Sequence, residues 1–304
     1  MTTSGPASGA PSPSPQREDV EIESDGALLA AWFYPAHTSA PSAPCVVMAH
    51  GFSMTRADGL EEYAERFAAA GTHVLVFDHR YLGDSGGEPR QRFRIGHQQR
   101  DWRHAVAYAR TRPEVDAGSI VAWGYSFSGG HVASLLSRGL DVRAALVLCP
   151  FADGLARVLA TPPALVAWIL PRALLDLIGR HRTIPVTGPP GSHGAMTLPG
   201  EADGFAASRR AGSRWRNEIS PAVFLTVGLF RPVRGAKRIR PALWVGRCAD
   251  DITVSAKAVG RLAGQAPRGE LHEFAGDHFA PFTGESTEAV VASQVEFLRR
   301  EVLA

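Results

Sequence analysis

The segment that most constrains the fold is residues 119–131, which read Ser-Ile-Val-Ala-Trp-Gly-Tyr-Ser-Phe-Ser-Gly-Gly-His. Residues 120–123 form a short apolar run typical of a buried strand, and the residues after the glycine pair favour a helix. Between them, Ser126 is flanked two residues away by Gly124 and Ser128. A strand that turns abruptly into a helix, with a serine between small residues, is the form of a nucleophile elbow. We therefore expect Ser126 to be an activated nucleophile, although the usual pattern has glycine where Ser128 stands.

Strand and helix patterns alternate along most of the chain. Apolar runs predict strands at residues 20–22, 28–34, 45–49, 72–77, 120–123, 144–148, 241–245 and 270–274. Helical spacing of apolar residues predicts helices around residues 60–67, 102–109, 131–138 and 290–298. Near-continuous apolar strands that alternate with helices predict an α/β fold, with a mostly parallel central sheet covered by helices on both faces.

The alternation stops after Pro150 and resumes near residue 237. We therefore predict an α/β core made of residues 19–150 and 237–304, with residues 151–236 inserted as a lid. The insertion is dense in apolar residues around Pro171, which suggests two short helices. Its longest apolar stretch, residues 164–170, is far too short to cross a bilayer, so no stable membrane insertion is expected.

The first 18 residues are mostly Ser, Pro, Gly and Ala, without an apolar run. This composition predicts a disordered tail and fits neither a signal peptide nor a membrane span.

Charge and cysteine content bear on which partners, disulfides and metals the protein can have. The chain has 32 basic and 30 acidic residues, which gives no argument for a nucleic-acid partner. Cys45, Cys149 and Cys248 have no metal-type spacing, and their odd number gives no disulfide framework. We expect buried thiols in a reduced, cytoplasmic setting, with no metal and no cofactor.

Two residues late in the chain complete a candidate catalytic set with Ser126. A serine hydroxyl needs a base to take its proton, and the base works best when a carboxylate orients it. Asp251 follows one late strand and His278 follows the next, which is the order nucleophile, acid, histidine. Because ligands collect at the carboxyl ends of parallel strands, the loops that carry these residues are expected to meet.

Four motifs carry a family resemblance: His-Gly-Phe at 50–52, Asp-x-Arg-x-x-Gly-x-Ser-x-Gly at 78–87, the elbow, and Gly-Asp-His-Phe at 276–279. With them the chain resembles serine hydrolases of the α/β-hydrolase superfamily from about residue 20 to its end. It is most similar to bacterial hydrolases of the dienelactone-hydrolase and Xaa-Pro-peptidase-like group. It also resembles polyketide transferases, whose elbows often read Ser-Phe-Ser-Gly-Gly-His.

The identity of the acid has three candidates. In the resembled family the acid stands four residues before a proline or small residue, which here is Ser255 and favours Asp251 over its neighbour Asp250. Asp153 follows the strand after the elbow, where some members of the superfamily carry their acid, and it ranks third.

The resemblance also implies an oxyanion hole formed by the backbone N–H groups of Phe127 and Phe52. His50 is expected to shape its turn, and His131 to pack within its helix. The glycines at 83–87 lack the lysine and the spacing of a phosphate loop, so a structural turn is expected there.

The function predicted from these residues is hydrolysis of an ester or thioester through an acyl-enzyme on Ser126. The apolar lid suggests a small to medium apolar acyl chain, carried by a small-molecule substrate. One alternative is an acyl or polyketide transferase that uses the same triad. A second, from another class, is a non-catalytic ligand-binding protein on the hydrolase scaffold.

Overall fold

A computed structural model of the chain describes residues 17–304. The predicted tail at residues 1–18 lies outside the described residues except for Arg17 and Glu18. The first strand begins at Glu18.

The described residues form one eight-stranded sheet. Its strands are β1 (Glu18–Ser24), β2 (Ala27–Tyr34), β3 (Ala43–Ala49), β4 (His73–Phe77), β5 (Val115–Tyr125), β6 (Ala144–Leu148), β7 (Ala242–Cys248) and β8 (Gly269–Phe274). The order in the sheet is β1-β2-β4-β3-β5-β6-β7-β8. β2 pairs antiparallel with β1 and with β4, whereas the pairs from β4 through β8 are parallel. The prediction of a mostly parallel sheet is confirmed.

Helices cover both faces of this sheet. The helices of the described residues are α1 (Leu60–Ala69), α2 (Ile95–Thr111), α3 (Phe127–Leu136), α4 (Gly154–Ala160), α5 (Pro163–Leu177), α6 (Glu201–Ser208), α7 (Ala256–Gln265) and α8 (Glu285–Glu301). Of these, α1, α2, α3, α7 and α8 pack against the strands. On β3, Val46 and Met48 join the apolar core beneath α1 and α8, and Val47 joins the core beneath α2, α3 and α7. Because both faces are covered, the central strands are apolar throughout rather than alternating.

The segment between β6 and β7 contains α4, α5, α6 and three 3-10 turns, at Pro221–Leu225, Val227–Leu229 and Pro232–Arg238. The prediction of two short helices around Pro171 was wrong, because α5 runs through this proline. Proline removes the hydrogen bond to the carbonyl four residues earlier, that of Ala167. Both residues are exposed, so water can satisfy that carbonyl and the helix continues.

Among the described residues, no single helix is long and apolar enough to cross a membrane. α4 and α5 satisfy the length and composition requirement only as a pair, and the two are bent by 118°.

Candidate active site

Ser126 lies between the end of β5 and the start of α3, and its backbone has a φ of +52°. A residue with a side chain is strained in this region, so neighbouring contacts must hold it there. The Ser126 N–H donates to the Leu148 carbonyl at 2.9 Å. The Ser126 carbonyl accepts from the N–H groups of Gly130 at 3.0 Å and Phe151 at 2.8 Å. The turn is thereby fixed to the neighbouring strand β6 and to the segment that follows it.

The small residues around Ser126 are required by close packing. A Cβ added to Gly124 would lie 2.6 Å from the Ser128 carbonyl, and one on Gly130 would lie 2.4 Å from the Phe151 carbonyl. Ser128, which stands where the usual motif has glycine, is buried, and its Oγ lies 3.2 Å from His79 Nε2. The departure from the motif therefore adds a buried hydrogen bond.

His278 bridges Ser126 and Asp251. Its Nε2 lies 2.9 Å from Ser126 Oγ, and its Nδ1 lies 2.6 Å from Asp251 Oδ2. The other carboxylate oxygen accepts from the N–H groups of Thr253 at 2.8 Å and Val254 at 3.1 Å. Since an ionised carboxylate can only accept, the network assigns the His278 proton to Nδ1 and leaves Nε2 to accept from the serine hydroxyl.

The surroundings of Asp251 favour its charged form. Burial opposes ionisation, but His278 and the N–H groups of Val254 and Thr253 outweigh it and hold the pKa of Asp251 below its usual value. The carboxylate is thus charged at neutral pH. Such a group keeps an imidazole in one tautomer and stabilises the imidazolium that forms when it takes a proton.

The other two candidate acids make different contacts. The Asp250 side chain is exposed. Asp153 caps the start of α4 and binds the Arg231 guanidinium at 2.7 and 2.8 Å. Burial works against ionisation of Asp153, but this arginine outweighs it and lowers the pKa of the carboxyl. Of the three acids, Asp251 is the one in contact with His278.

Tyr125 supports the histidine in a way that the sequence did not predict. Its hydroxyl donates to the His278 carbonyl at 2.8 Å, and the two rings lie 5.1 Å apart. A Cβ on Gly51 would come within 2.9 Å of the Tyr125 ring, so the turn after β3 packs directly against Tyr125. The only sequence signal is that Tyr125 immediately precedes the proposed nucleophile.

Phe52 and Phe127 are the residues whose backbone N–H groups the resemblance assigns to an oxyanion hole. Both line a cavity together with Ser126, and their rings are 5.7 Å apart. Within residues 17–304, neither backbone N–H donates to another protein group. Both amides can therefore donate to a bound molecule.

The cavity beside Ser126 has a volume of about 440 Å³. Its wall is mainly apolar and includes Phe151, Val158, Leu165, Ile169, Met196, Phe224 and Leu225. Arg157 and Thr253 add polar groups, and the Arg157 guanidinium lies 3.5 Å from the buried Glu201 carboxylate. Such a cavity suits an apolar chain that carries few polar atoms.

Two buried histidines, His50 after β3 and His131 in α3, lie near the turn that carries Ser126. His50 Nε2 accepts from the His79 N–H at 3.3 Å, and burial lowers the pKa of His50 to about 3. His131 Nε2 lies 2.8 Å from Gln98 Oε1, and burial also lowers the pKa of His131. These contacts fit the structural roles expected for His50 and His131.

The glycine-rich loop at 78–87 folds around a carboxylate rather than around an open anion site. Asp78 accepts from the Arg56 N–H at 2.6 Å and also pairs with its guanidinium. A Cβ on Gly83 would lie 2.2 Å from Asp78 Oδ2. A phosphate would be repelled by this carboxylate, so the contacts favour the structural turn.

One set of side chains near the triad has the composition of a metal site. Ligand atoms of Cys149, Asp251 and His278 lie within 4.8 Å of one another. Cys149 Sγ is 3.6 Å from Cys248 Sγ, and this hydrogen bond together with burial raises the pKa of the Cys149 thiol. The three groups already have protein partners, since His278 Nδ1 pairs with Asp251 Oδ2 at 2.6 Å and Cys149 contacts Cys248.

Comparison with known proteins gives the family. The model of the alpha/beta hydrolase family matches residues 46–293, and the chain belongs to that family. It is 35% identical to the quorum-quenching protein AidA of Acinetobacter baumannii, over 93% of this chain and 95% of the relative. It is 40% identical to the polyketide transferase ATR5 of Stachybotrys chlorohalonatus over 43% of each chain, and 35% identical to a thiohydrolase of Eupenicillium brefeldianum over 47% and 48%.

A solved structure supports the same fold. The α/β hydrolase GrgF from Penicillium matches with a TM-score of 0.82 at 24% identity, covering 95% of this chain and 100% of the other. The predicted α/β-hydrolase resemblance and fold are therefore confirmed. The chain is an enzyme of the hydrolase class, and the alternative of a non-catalytic binding protein is not supported.

Proposed function

We propose that the chain is a serine hydrolase that cleaves an ester or thioester of a small to medium apolar acyl group. The observation that carries this proposal is the unbroken chain of hydrogen bonds from Ser126 through His278 to Asp251, at the wall of an apolar cavity. The similarity to a thiohydrolase over part of the chain supports the thioester reading.

The reaction follows from these contacts. Ser126 Oγ attacks the acyl carbonyl as its proton passes to His278 Nε2, and Asp251 stabilises the resulting imidazolium. The carbonyl oxygen becomes an oxyanion that accepts from the N–H groups of Phe52 and Phe127. His278 then protonates the leaving alcohol or thiol, and the acyl group remains on Ser126. Water attacks this acyl-enzyme with His278 as base, which releases the acid and restores the serine.

Covalent labelling with a fluorophosphonate tests the nucleophile. The wild type is expected to be labelled and Ser126→Ala is not. The matched control is Ser128→Ala, two residues away, which keeps the nucleophile and is expected to be labelled. A folded Ser126→Ala protein that is still labelled would refute the assignment. A chain-length series of p-nitrophenyl esters and acyl thioesters then defines the acyl group.

Transfer to an acceptor other than water is the second candidate. It is favoured by the similarity to a polyketide transferase over 43% of the chain, a stretch of 133 residues. The triad is the same in both reactions, so hydrolysis and transfer differ only in the molecule that accepts the acyl group. Product analysis with added alcohols distinguishes the two, because a transferase gives new esters in place of free acid.

We also propose that residues 151–236 form a lid and that the protein works in a reducing, cytoplasmic setting. The lid is supported by the contribution of α4, α5 and the 3-10 turn at Pro221–Leu225 to the cavity wall. The setting is supported by three buried cysteines, none of which is in a disulfide.

A further inference from the structure

Helix α5 and the residues beside it expose an apolar surface. We define the apolar rim as six exposed side chains of this region: Leu159, Val166, Leu170, Leu174, Leu177 and Ile178. Leu159 is 78% exposed and Ile178 is 71% exposed, so most of each side chain faces solvent. An exposed leucine by itself is ordinary, but a contiguous apolar patch marks an interaction site.

Four members of the rim, Val166, Leu170, Leu174 and Leu177, lie on one face of α5. Leu170, Leu174 and Leu177 are separated by four and three residues, so they lie on the same side of α5. Ile169 and Ala173, on the neighbouring side of the helix, are buried. α5 is therefore a surface helix whose apolar side chains extend from its buried side onto an adjoining exposed side.

The exposed charges of this segment are of one sign. Between residues 154 and 182 the exposed charged side chains are Arg180 and Arg182, while Arg157 and Arg172 are partly exposed and the Arg172 guanidinium lies 4.1 Å from the Trp168 ring centre. The one acid of this stretch, Asp176, is buried and occupied by the Ala222 N–H at 3.1 Å and His181 Nδ1 at 3.0 Å. An apolar face on a segment with exposed arginines and no exposed acid complements a surface that is apolar inside and anionic at its edge.

The rim is continuous with the proposed active site. Val166 and Leu170 are exposed at the rim and also line the cavity that contains Ser126. The rim and the cavity therefore share two side chains of α5.

We propose that the apolar rim docks this enzyme on the surface of an anionic phospholipid bilayer. α4 and α5 are bent by 118° and do not form a single span, so the rim lies in the headgroup region rather than crossing the membrane. A second copy of this chain fits less well. In a symmetric contact each rim would meet its own copy, and the arginines would find no exposed acid within this segment.

Vesicle sedimentation with the full-length protein tests the proposal. The protein is expected to pellet with vesicles of mixed phosphatidylglycerol and phosphatidylcholine, and to remain in solution with pure phosphatidylcholine. Replacing Leu174, Leu177 and Ile178 with serine removes rim side chains that do not line the cavity, and is expected to weaken binding roughly 10- to 100-fold. Arg180→Gln with Arg182→Gln is expected to weaken it about five-fold for each arginine, and added salt should do the same.

Matched variants distinguish vesicle binding through the rim from non-specific binding through other exposed leucines or other exposed arginines. Leu28→Ser with Leu271→Ser removes exposed leucines elsewhere, and Arg261→Gln with Arg299→Gln removes exposed arginines on α7 and α8. Both pairs are expected to bind vesicles as the wild type does. The readout is binding, so it does not depend on turnover, and activity on a short soluble ester should be unchanged in every variant.

Several results would overturn the proposal. The first is a wild-type protein that stays in solution with anionic vesicles at low salt. The second is equal binding by the wild type and the rim variant. The third is a dimer that the rim substitutions dissociate, which would identify a second copy of the chain as the occupant.

Discussion

The cavity beside Ser126 has one wall on the turns that follow the strands, which we call the sheet side, and one on helix α5. The two walls differ in what lies behind them. On the sheet side Ser126 and His278 are 5% and 3% exposed, and each is held by several hydrogen bonds. On the helix side Ile169 faces the interior, but the next residue, Leu170, lines the cavity and is also 46% exposed. The sheet side is backed by the core of the protein, whereas α5 is a single layer with solvent beyond it.

This difference separates two tasks. Each catalytic group must be held in place by several contacts, since a small displacement of such a group strongly reduces the rate of the reaction. Selection and entry of an apolar chain need only a surface of suitable shape, which one layer of side chains provides. Substitutions on the sheet side should therefore change the chemical step or the stability, and substitutions on α5 should change which substrates or surfaces are bound.

The largest effect is expected at the acid of the triad. Asp251→Asn keeps the size of the side chain but removes the charge that orients His278, and we expect a loss of about 10⁴-fold in kcat. Asp250→Asn is the matched control, because its side chain is exposed, and we expect a change of less than about two-fold. The measurement is kcat and KM on a p-nitrophenyl ester. Comparable losses for the two variants would show that the acid has been assigned wrongly.

The sequence predicted the parts of this site that are encoded locally. Strands and helices follow from apolar periodicity, and Ser126, His278 and Asp251 follow from their order after successive strands. The catalytic roles of these residues, and the assignment of Phe52 and Phe127 to the oxyanion hole, remain predictions. Contacts between distant segments gave no local signal.

Two contacts illustrate what the sequence could not predict. Asp153 was a reasonable candidate acid by position, but it binds Arg231, which lies 78 residues further along the chain. The hydrogen bond from Tyr125 to the His278 carbonyl spans 153 residues. Helix α5 was predicted as two helices because proline usually breaks a helix, whereas the exposure of this one limits its cost.

Packing of the elbow gives the next largest effect. Gly124→Ala would bring a methyl group to 2.6 Å from backbone atoms of residues 128 and 129, and we expect a loss of about 1–3 kcal/mol in the free energy of unfolding.

Two control variants change residues that are not closely packed. Gly264→Ala, in α7 with open space around it, should stabilise the protein by about 0.5–1 kcal/mol. Leu177→Ser, on the apolar rim, should change stability by no more than about 0.5 kcal/mol. Urea denaturation measures all three, and equal stability of Gly124→Ala and the wild type would contradict the packing argument.

Acid should destabilise the sheet side through its buried histidines. The pKa of His50 is lowered by burial to about 3, below the value of the unfolded chain, so its stabilising contribution is present above pH 6.5 and is lost as the pH falls toward 3. At pH 5 this loss is about 2 kcal/mol. Asp78 acts in the opposite sense, because burial raises its pKa to about 6 and its stabilising contribution is lost as the pH rises through that value.

A variant isolates the histidine effect from that of Asp78. His50→Gln keeps an acceptor for the His79 N–H but does not titrate, so its free energy of unfolding should change by about 2 kcal/mol less than that of the wild type between pH 7 and pH 5. His37→Gln, at an exposed histidine, is the control and should follow the wild type. Identical pH dependence of His50→Gln and the wild type would show that His50 is not the group responsible.

The smallest effect is expected where α5 meets the cavity. Ala173 is buried and lines the cavity, so Ala173→Leu would fill part of the roughly 440 Å³ available. Because each methylene in an apolar pocket changes kcat/KM by about ten-fold or more, esters that reach this wall should lose about that factor, and the preferred acyl chain should become shorter. Acetate and butyrate esters, which leave this end of the cavity empty, should react within about two-fold of the wild type. The measurement is kcat/KM across the p-nitrophenyl ester series. A uniform loss at every chain length would mean that the substitution disturbs the triad, and that the α5 wall and the sheet wall are not separable as argued above.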